Sequence, residues 1–524
     1  MKEIKIEELS LKQKLGMTFI ATLQRDGNKL NPEDDEFVYD LIRNRSLGAV
    51  WVQQGFYNTD EVIKKVKEIA DYPIIIMTDA ESGINDYLVG KHNAIGCTGS
   101  EKHAYAFGKT VAVKARKMGY NLVCNPVVDM IDGGQRSLGT DKEKVASLAV
   151  AMAKGMHDGG VLTLAKHYPG GSSIGYIDSH MAESRSADTK EELLSYSLYP
   201  YLKLMEQNLL DGIMTQHKCF INIDDKHPAS LSKAVIDIIR EQGFDGIITT
   251  DALSMMGIRA KFDDVSAKGI ALMAGNDIPL AYSQNNKEKF EEYCQAYEKG
   301  MITDERLDEA VRRVLNAQHK TTLLPKDTSL TEEDEKTFSS INKDGIWTKT
   351  DDGVSHTISR DGKHFFALMV KNKTVLDRDG KVDVDTFTNY WHKPTKIEAK
   401  IKELFPNSTV LAIDEFPGQG EAARVLDRSL GHDEVIFITF SEALAYLGRE
   451  YLTHRMVNII NAMQLTDRIS TIVHFGNAHV LEELSHISRY IIGGLSEDSV
   501  DAALEVLAGE YPANGVPTYK VNLK

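Results

Sequence analysis

The stretch Gly246–Leu253, GIITTDAL, decides how this chain is read. It is a short apolar run with β-branched residues that ends on a carboxylate, Asp251. It follows SLSKAVIDIIREQG, from Ser230, whose apolar residues recur at helical spacing. A helix leading into a buried strand is half of a repeating βα pattern. The sheet would fix the direction of Asp251 at the strand end, which suits a catalytic carboxylate. Asp-Ala-Leu can also start a helix, which would make Asp251 an N-cap.

Outward from this stretch the pattern recurs. GMTFIATL (from Gly16), LGAVWVQQ (from Leu47), PIIIMTDA (from Pro73), NLVCNPVVD (from Asn121), LTLAKHYP (from Leu162), GIMTQHK (from Gly212) and NDIPLAYS (from Asn276) bring the strand candidates to eight. Amphipathic segments such as TDEVIKKVKEIA (from Thr59) and DKEKVASLAVAMAKGM (from Asp141) lie between them. Repeated βα units predict a parallel sheet, and eight of them predict an N-terminal (β/α)8 TIM barrel over 1–320. TTLLPKDTSLTEEDEK, from Thr321, is polar and irregular and reads as a linker, 321–345. The runs HFFALMV, STVLAID, EVIFITF, STIVHFG and RYIIGG predict a smaller doubly wound α/β domain over 346–524. Within it FPGQGEAA, from Phe416, contains G-x-G-x-x-A, and Glu442 lies near the end of the next strand. Pro417 and other residues separate those glycines from the strand, so a plain loop before a helix is the expected reading rather than a dinucleotide fingerprint.

In a barrel the C-terminal strand ends carry the chemistry. Here five consecutive ends are polar: Asp79, Asp129, the pair Lys166 and His167, His217, and Asp251. One such residue can cap a helix; five in succession predict a shared rim. Beyond Lys166 and His167, KHYPGGSSIGYIDSH passes through a Gly/Ser loop to Asp178 and His180. A carboxylate on one imidazole nitrogen fixes the tautomer and leaves the other nitrogen to exchange a proton near neutral pH. A sheet-fixed carboxylate facing a loop-borne acid/base is what glycosidic cleavage with retention requires.

Composition excludes other classes. The chain has 524 residues, 42% hydrophobic and 26% charged, with a net charge of −16. That balance speaks against a nucleic-acid partner, which needs basic patches. The four cysteines, Cys97, Cys124, Cys219 and Cys294, form no CxxC pair and are expected as free thiols in a reducing compartment. The N-terminus lacks an apolar signal core and no apolar run spans a bilayer, so a cytoplasmic location without a membrane partner is expected.

These residues resemble glycoside hydrolase family 3, specifically its bacterial β-N-acetylglucosaminidase branch. LSLKQKLGMTF resembles the family's opening, MTDAESG its Asp-x-Glu-Gly-Gly segment, and PVVDM with RSLGTD its Pro-Val-x-Asp and Arg-Ser-x-Gly segments. KHYPG followed by DSH resembles its Lys-His-Phe-Pro-Gly…Asp-Ser-His signature, and PASLSKAVIDIIREQGFDGIITTDALSM with ALMAGNDI resembles its nucleophile region. VHFGNAHVLEEL and ALEVLAGEYPANGVP resemble its C-terminal α/β domain. The resemblance implies a retaining exo-acting β-N-acetylhexosaminidase. Asp251 would be its nucleophile, His180 the acid/base and Asp178 the partner of His180. Asp79, Arg136, Lys166, His167 and His217 would contact the sugar. It implies a small oligosaccharide or glycoside as substrate and no metal or organic cofactor.

The chain departs from the family in three places. PGGSSIGYI is one residue longer than the usual loop and lacks its histidine; Ser82-Gly83-Ile84 replaces Gly-Gly-Arg; Tyr87 stands near an expected arginine. Tyr176, in the altered loop, would either stack on a sugar or pack. A family 3 β-glucosidase or other exo-β-glycosidase, a glycoside phosphorylase, and a non-catalytic sugar-binding relative are the alternatives.

Overall fold

The structure is a computed structural model that describes residues 4–23, 31–55, 58–175, 177–283, 285–326, 328–370, 375–376, 382–383, 393–442, 451–466 and 468–524. The chain divides into two compact units, one of 1–88, 101–131 and 141–338 and the other of 89–100, 132–140 and 339–524.

In the first unit seven strands form one parallel sheet in chain order. They are β1 (Ile20–Thr22), β2 (Ala49–Trp51), β3 (Ile75–Asp79), β4 (Leu122–Cys124), β5 (Leu162–Tyr168), β6 (Gly212–Thr215) and β7 (Ile247–Thr250). The sheet curls around one apolar core, to which β3 contributes Ile75 and Met77, β5 Leu162 and Leu164, and β7 Ile247. Side chains on a strand alternate between faces, so counting on by twos puts Asp79, Lys166 and Asp251 in the same inward sets, above the core.

The expected eighth strand, from Asn276, forms no ladder with the sheet. The N–H groups of Asp277 and Ile278 both reach the Ile248 carbonyl, at 2.6 and 3.2 Å. The Asp277 carboxylate accepts the Ile248 N–H at 2.9 Å, and Thr249 Oγ1 donates to the Ile278 carbonyl at 2.8 Å. Asp277 is fully buried, so it must gather donors. It accepts from Arg240 at 2.6 Å, Arg306 at 2.9 Å and Arg313 at 3.4 Å. Beyond this segment Asn286 pairs with both backbone groups of Thr22 on β1, at 2.8 and 2.9 Å. Among the described residues, then, the α/β architecture is a curled seven-stranded parallel sheet whose eighth segment is attached by isolated backbone bonds and by side chains rather than by a ladder.

The second unit holds a six-stranded mixed sheet. Its strands are β8 (Trp347–Thr350), β9 (His364–Val370), β10 (Thr409–Asp414), β11 (Glu434–Phe440), β12 (Ile469–Phe475) and β13 (Arg489–Gly493), in the order β8-β13-β12-β11-β9-β10. All pairs are parallel except β8 with β13. Strand β8, an edge strand of sequence WTKT, has no apolar run to announce it. Only Gly418 of the G-x-G-x-x-A segment precedes the helix Gln419–Arg428, which it caps; the rest is the helix's first turn. The Glu421 carboxylate takes the N–H groups of Gly418 (3.0 Å) and Asp414 (3.2 Å), a negative charge that does not suit a phosphate-binding turn.

The polar stretch read as an irregular linker is helical over Glu332–Asp344. Charge hid its periodicity: Phe338 is buried and stacks on Phe107, and Asp334 pairs with Lys109 at 2.7 Å. All four cysteines are free. No helix among the described residues is long and apolar enough to cross a membrane. Tyr176 lies outside the described residues.

Candidate active site

Asp251 directly follows β7, and its N–H donates to the Thr215 carbonyl at 2.8 Å, in register with β6. The next helix starts only at Met256, with Met255 in the capping position, so Asp251 does not cap it. Its Oδ1 accepts the Ala252 N–H at 2.7 Å, while Oδ2 faces His167 Nε2 at 4.0 Å, too far for a hydrogen bond. The side chain stays 26% exposed, so this carboxylate is fixed yet reachable. Burial works against its ionisation, but the electrostatic pull of His167 first, then of the His217 ring, the Ala252 N–H and Lys166, outweighs burial and holds the carboxyl below the usual aspartate range.

Lys166 and His167 leave β5 with different partners. Lys166 Nζ sits 2.5 Å from Asp79 Oδ1 and 2.6 Å from Glu81 Oε1. Its side chain is 2% exposed, so the charge is permanently shared between two carboxylates. His167 Nδ1 lies 2.7 Å from Asp129 Oδ2, and the His167 N–H reaches both Asp129 oxygens at 3.2 Å. Asp129 therefore orients the ring so that Nε2 points toward Asp251. Asp129 was expected at the rim but without a role, and Glu81 was not among the expected site residues. For Glu81 a signal existed: Asp79 and Glu81 are two apart at a strand end, hence on one face.

His217 is buried, and both ring nitrogens are engaged within the protein. Nε2 lies 2.9 Å from the Ala252 carbonyl, which only accepts, so Nε2 carries the proton. Nδ1 lies 2.8 Å from Ser230 Oγ. Burial pushes the imidazole pKa down against the opposing pull of Asp251, which leaves Nδ1 to accept from the serine hydroxyl. The geometry makes His217 a brace for the backbone that follows Asp251.

His180 Nδ1 sits 2.7 Å from Asp178 Oδ1, which also accepts the His180 N–H at 2.9 Å. The carboxylate thus fixes the Nδ1–H tautomer and leaves Nε2 for proton exchange. The loop bearing this pair joins the segment after Asp251 by two backbone bonds: Met256 N–H to the His180 carbonyl (3.3 Å) and Gly257 N–H to the Ser179 carbonyl (3.1 Å). Asp79, Lys166, His167, Asp178, His180, His217 and Asp251 all belong to the first unit. Arg136 lies in the segment 132–140, which groups with the second unit, and is exposed there.

Comparison with known proteins places the chain in a family. A beta-hexosaminidase from Tolumonas auensis is 29% identical over 277 residues, 49% of this chain and 81% of the relative. A beta-hexosaminidase from Idiomarina loihiensis is 30% identical over 273 residues, covering 48% and 81%. Among solved structures, a glycoside hydrolase family 3 beta-N-acetylglucosaminidase from Paenibacillus sp. aligns over 98% of this chain and all of its own, with a TM-score of 0.80 at 22% identity. A beta-glucoside phosphorylase bound to 2FGlc aligns over 98% and 95%, with a TM-score of 0.82 at 21% identity. At those identities the structural matches speak for the fold alone. Kinship comes from the model of the glycosyl hydrolase family 3 N-terminal domain, which matches residues 11–317, more than half of the 524; the chain belongs to that family and is a glycoside hydrolase.

Proposed function

We propose that the protein is a retaining, exo-acting β-N-acetylhexosaminidase with Asp251 as nucleophile and His180, braced by Asp178, as acid/base. One observation carries this reading: a carboxylate held ionised at a strand end lies on a segment hydrogen-bonded to the loop of an Asp–His pair. The Asp251 carboxylate attacks the anomeric carbon as the His180 imidazolium gives its Nε2 proton to the departing oxygen. Neutral His180 then takes a proton from water as that water displaces Asp251, and the two inversions retain configuration. Asp79, Lys166 and His167 hold sugar hydroxyls, while His217 acts through Ala252. The beta-hexosaminidase name of the relatives supports the N-acetylated sugar.

An activated, fluorinated N-acetylglucosaminyl donor tests the mechanism. Mass spectrometry of the inactivated protein is expected to find the glycosyl group on the peptide carrying Asp251. Turnover with the label elsewhere would overturn the assignment. A panel of matched aryl glycosides is expected to rank the N-acetylglucosaminide above the glucoside.

A glycoside phosphorylase is the second reading. Once His180 has given up its proton it is neutral, so incoming phosphate meets less repulsion there than a carboxylate base would present. Glycosyl phosphate formed in phosphate buffer would select this reading over hydrolysis.

A further inference from the structure

We propose that Gly257 and the Glu183–Lys261 ion pair are positioning residues that hold the Asp178–His180 loop against the Asp251 segment, keeping His180 in reach of the leaving oxygen. The inference rests on the acid/base role proposed for His180.

The contact is built from both sides. The helix Met256–Arg259 begins five residues after Asp251. The first N–H groups of a helix have no partner within it. Here the Met256 and Gly257 N–H groups find theirs in the loop, at the carbonyls of His180 and Ser179. The approach requires glycine: a Cβ at position 257 would stand 2.8 Å from the Ser179 carbonyl oxygen and 3.1 Å from that of Ala182. Those atoms are backbone, so a side chain at 257 would displace the loop itself. Just beyond, Glu183 pairs with Lys261, two residues past that helix, and with Arg185 on its own segment at 2.6 Å. Burial raises the Glu183 carboxyl pKa, but the two cations overcome it and hold the group ionised. Within the loop, the Met181 and Ala182 N–H groups close a turn on the Asp178 carbonyl, at 2.9 and 3.1 Å. The acid/base pair and its docking carbonyls therefore move as one piece.

The other end of the loop is tied separately. Lys218 Nζ donates to the Gly171 carbonyl at 3.0 Å, and the Ser172 N–H donates to Asp188 at 2.6 Å. With its root held, displacement at Gly257 swings His180 away while the β5 residues Lys166 and His167 stay in place. Sugar binding and nucleophilic attack then persist, and protonation of the departing oxygen fails. General acid catalysis contributes about 10²–10⁴-fold, and only substrates with poor leaving groups need it in full.

Three variants, Gly257→Val, Lys261→Ala and Lys261→Arg, are compared with the parent on two N-acetylglucosaminides, one with a dinitrophenyl and one with an alkyl leaving group. Gly257→Val is expected to lose about 100-fold or more in kcat on the alkyl glycoside and about threefold or less on the dinitrophenyl one. Lys261→Ala is expected to show the same selectivity with about a tenfold loss, and Lys261→Arg to restore it, since the guanidinium keeps the ion pair. Equal losses on both substrates for Lys261→Ala, or no loss, would overturn the proposal even if Gly257→Val fails to fold. Labelling of the parent by the fluorinated donor separates the two failures. Asp251 labelled with unselective variants removes the positioning role alone; Asp251 unlabelled despite turnover removes the mechanism and this inference with it.

Discussion

The two ends of the first unit's sheet each hold an aspartate, and they treat it differently. At the amino-terminal end Asp277 is wholly buried and takes donors from Arg240, Arg306, Arg313 and the Ile248 N–H. At the carboxyl-terminal end Asp251 keeps a quarter of its side chain exposed, accepts one backbone N–H and faces His167 Nε2 at 4.0 Å. A carboxylate saturated with donors has no lone pair left for chemistry and serves to join strands. One held ionised by charges at a distance, with an oxygen to spare, is poised to attack.

Exchanging each aspartate for alanine tests that contrast most severely. Asp251→Ala is expected to lower kcat by about 10⁴-fold or more while leaving the denaturation midpoint nearly unchanged. Asp277→Ala is expected to cost about 3–5 kcal/mol of stability, because it strands three partly buried arginines around a fully buried site, while the folded fraction keeps its specific activity. Urea titration beside rate measurements checks both. Full stability in Asp277→Ala, or activity in Asp251→Ala, would break the comparison.

A finer test removes the distant charge. In His167→Ala burial of Asp251 is less opposed, so its carboxyl pKa rises. The acid limb of kcat/KM is then expected to move to higher pH, with the largest rate loss in acid. An unmoved acid limb would mean that His167 does not hold Asp251 ionised.

The smallest effect is expected at Asp211, another closed carboxylate at the amino-terminal end. It lies 2.7 Å from His157 Nε2, 3.1 Å from the Thr163 N–H and 3.4 Å from Lys320. Burial raises its pKa, but His157, Lys320 and the Thr163 N–H prevail and depress it. Its contribution is therefore fully present above the unfolded aspartate value of about 3.9 and lost as pH falls through the lower folded value. Asp211→Asn is expected to cost about 1–3 kcal/mol at neutral pH, with the gap closing in strong acid.

The strands of the curled sheet were legible because alternation and βα spacing are written in neighbouring residues. Asp251, Lys166 and Asp79 could be placed at the mouth by counting twos along β7, β5 and β3. The eighth strand misled: NDIPLAYS has the composition of a strand, but the Asp277 carboxylate takes the Ile248 N–H that a ladder would use, so only isolated backbone bonds remain beside it. The helix Glu332–Asp344 was taken for a linker because exposed charges outnumber the buried Phe338 that betrays it. The partners of His217, Ser230 and Ala252, come from later segments of the chain that no local pattern announces.

By itself the sequence determined which residues arrive at the strand ends, since side-chain direction follows from local backbone dihedrals. The tertiary structure alone decided what each of them does on arrival: Glu81 sharing Lys166, Asp129 turning His167, and Gly257 admitting the loop of His180. Those choices depend on burial and on contacts between segments far apart in the chain, and the cost of an unpaired buried group is settled only when those segments meet.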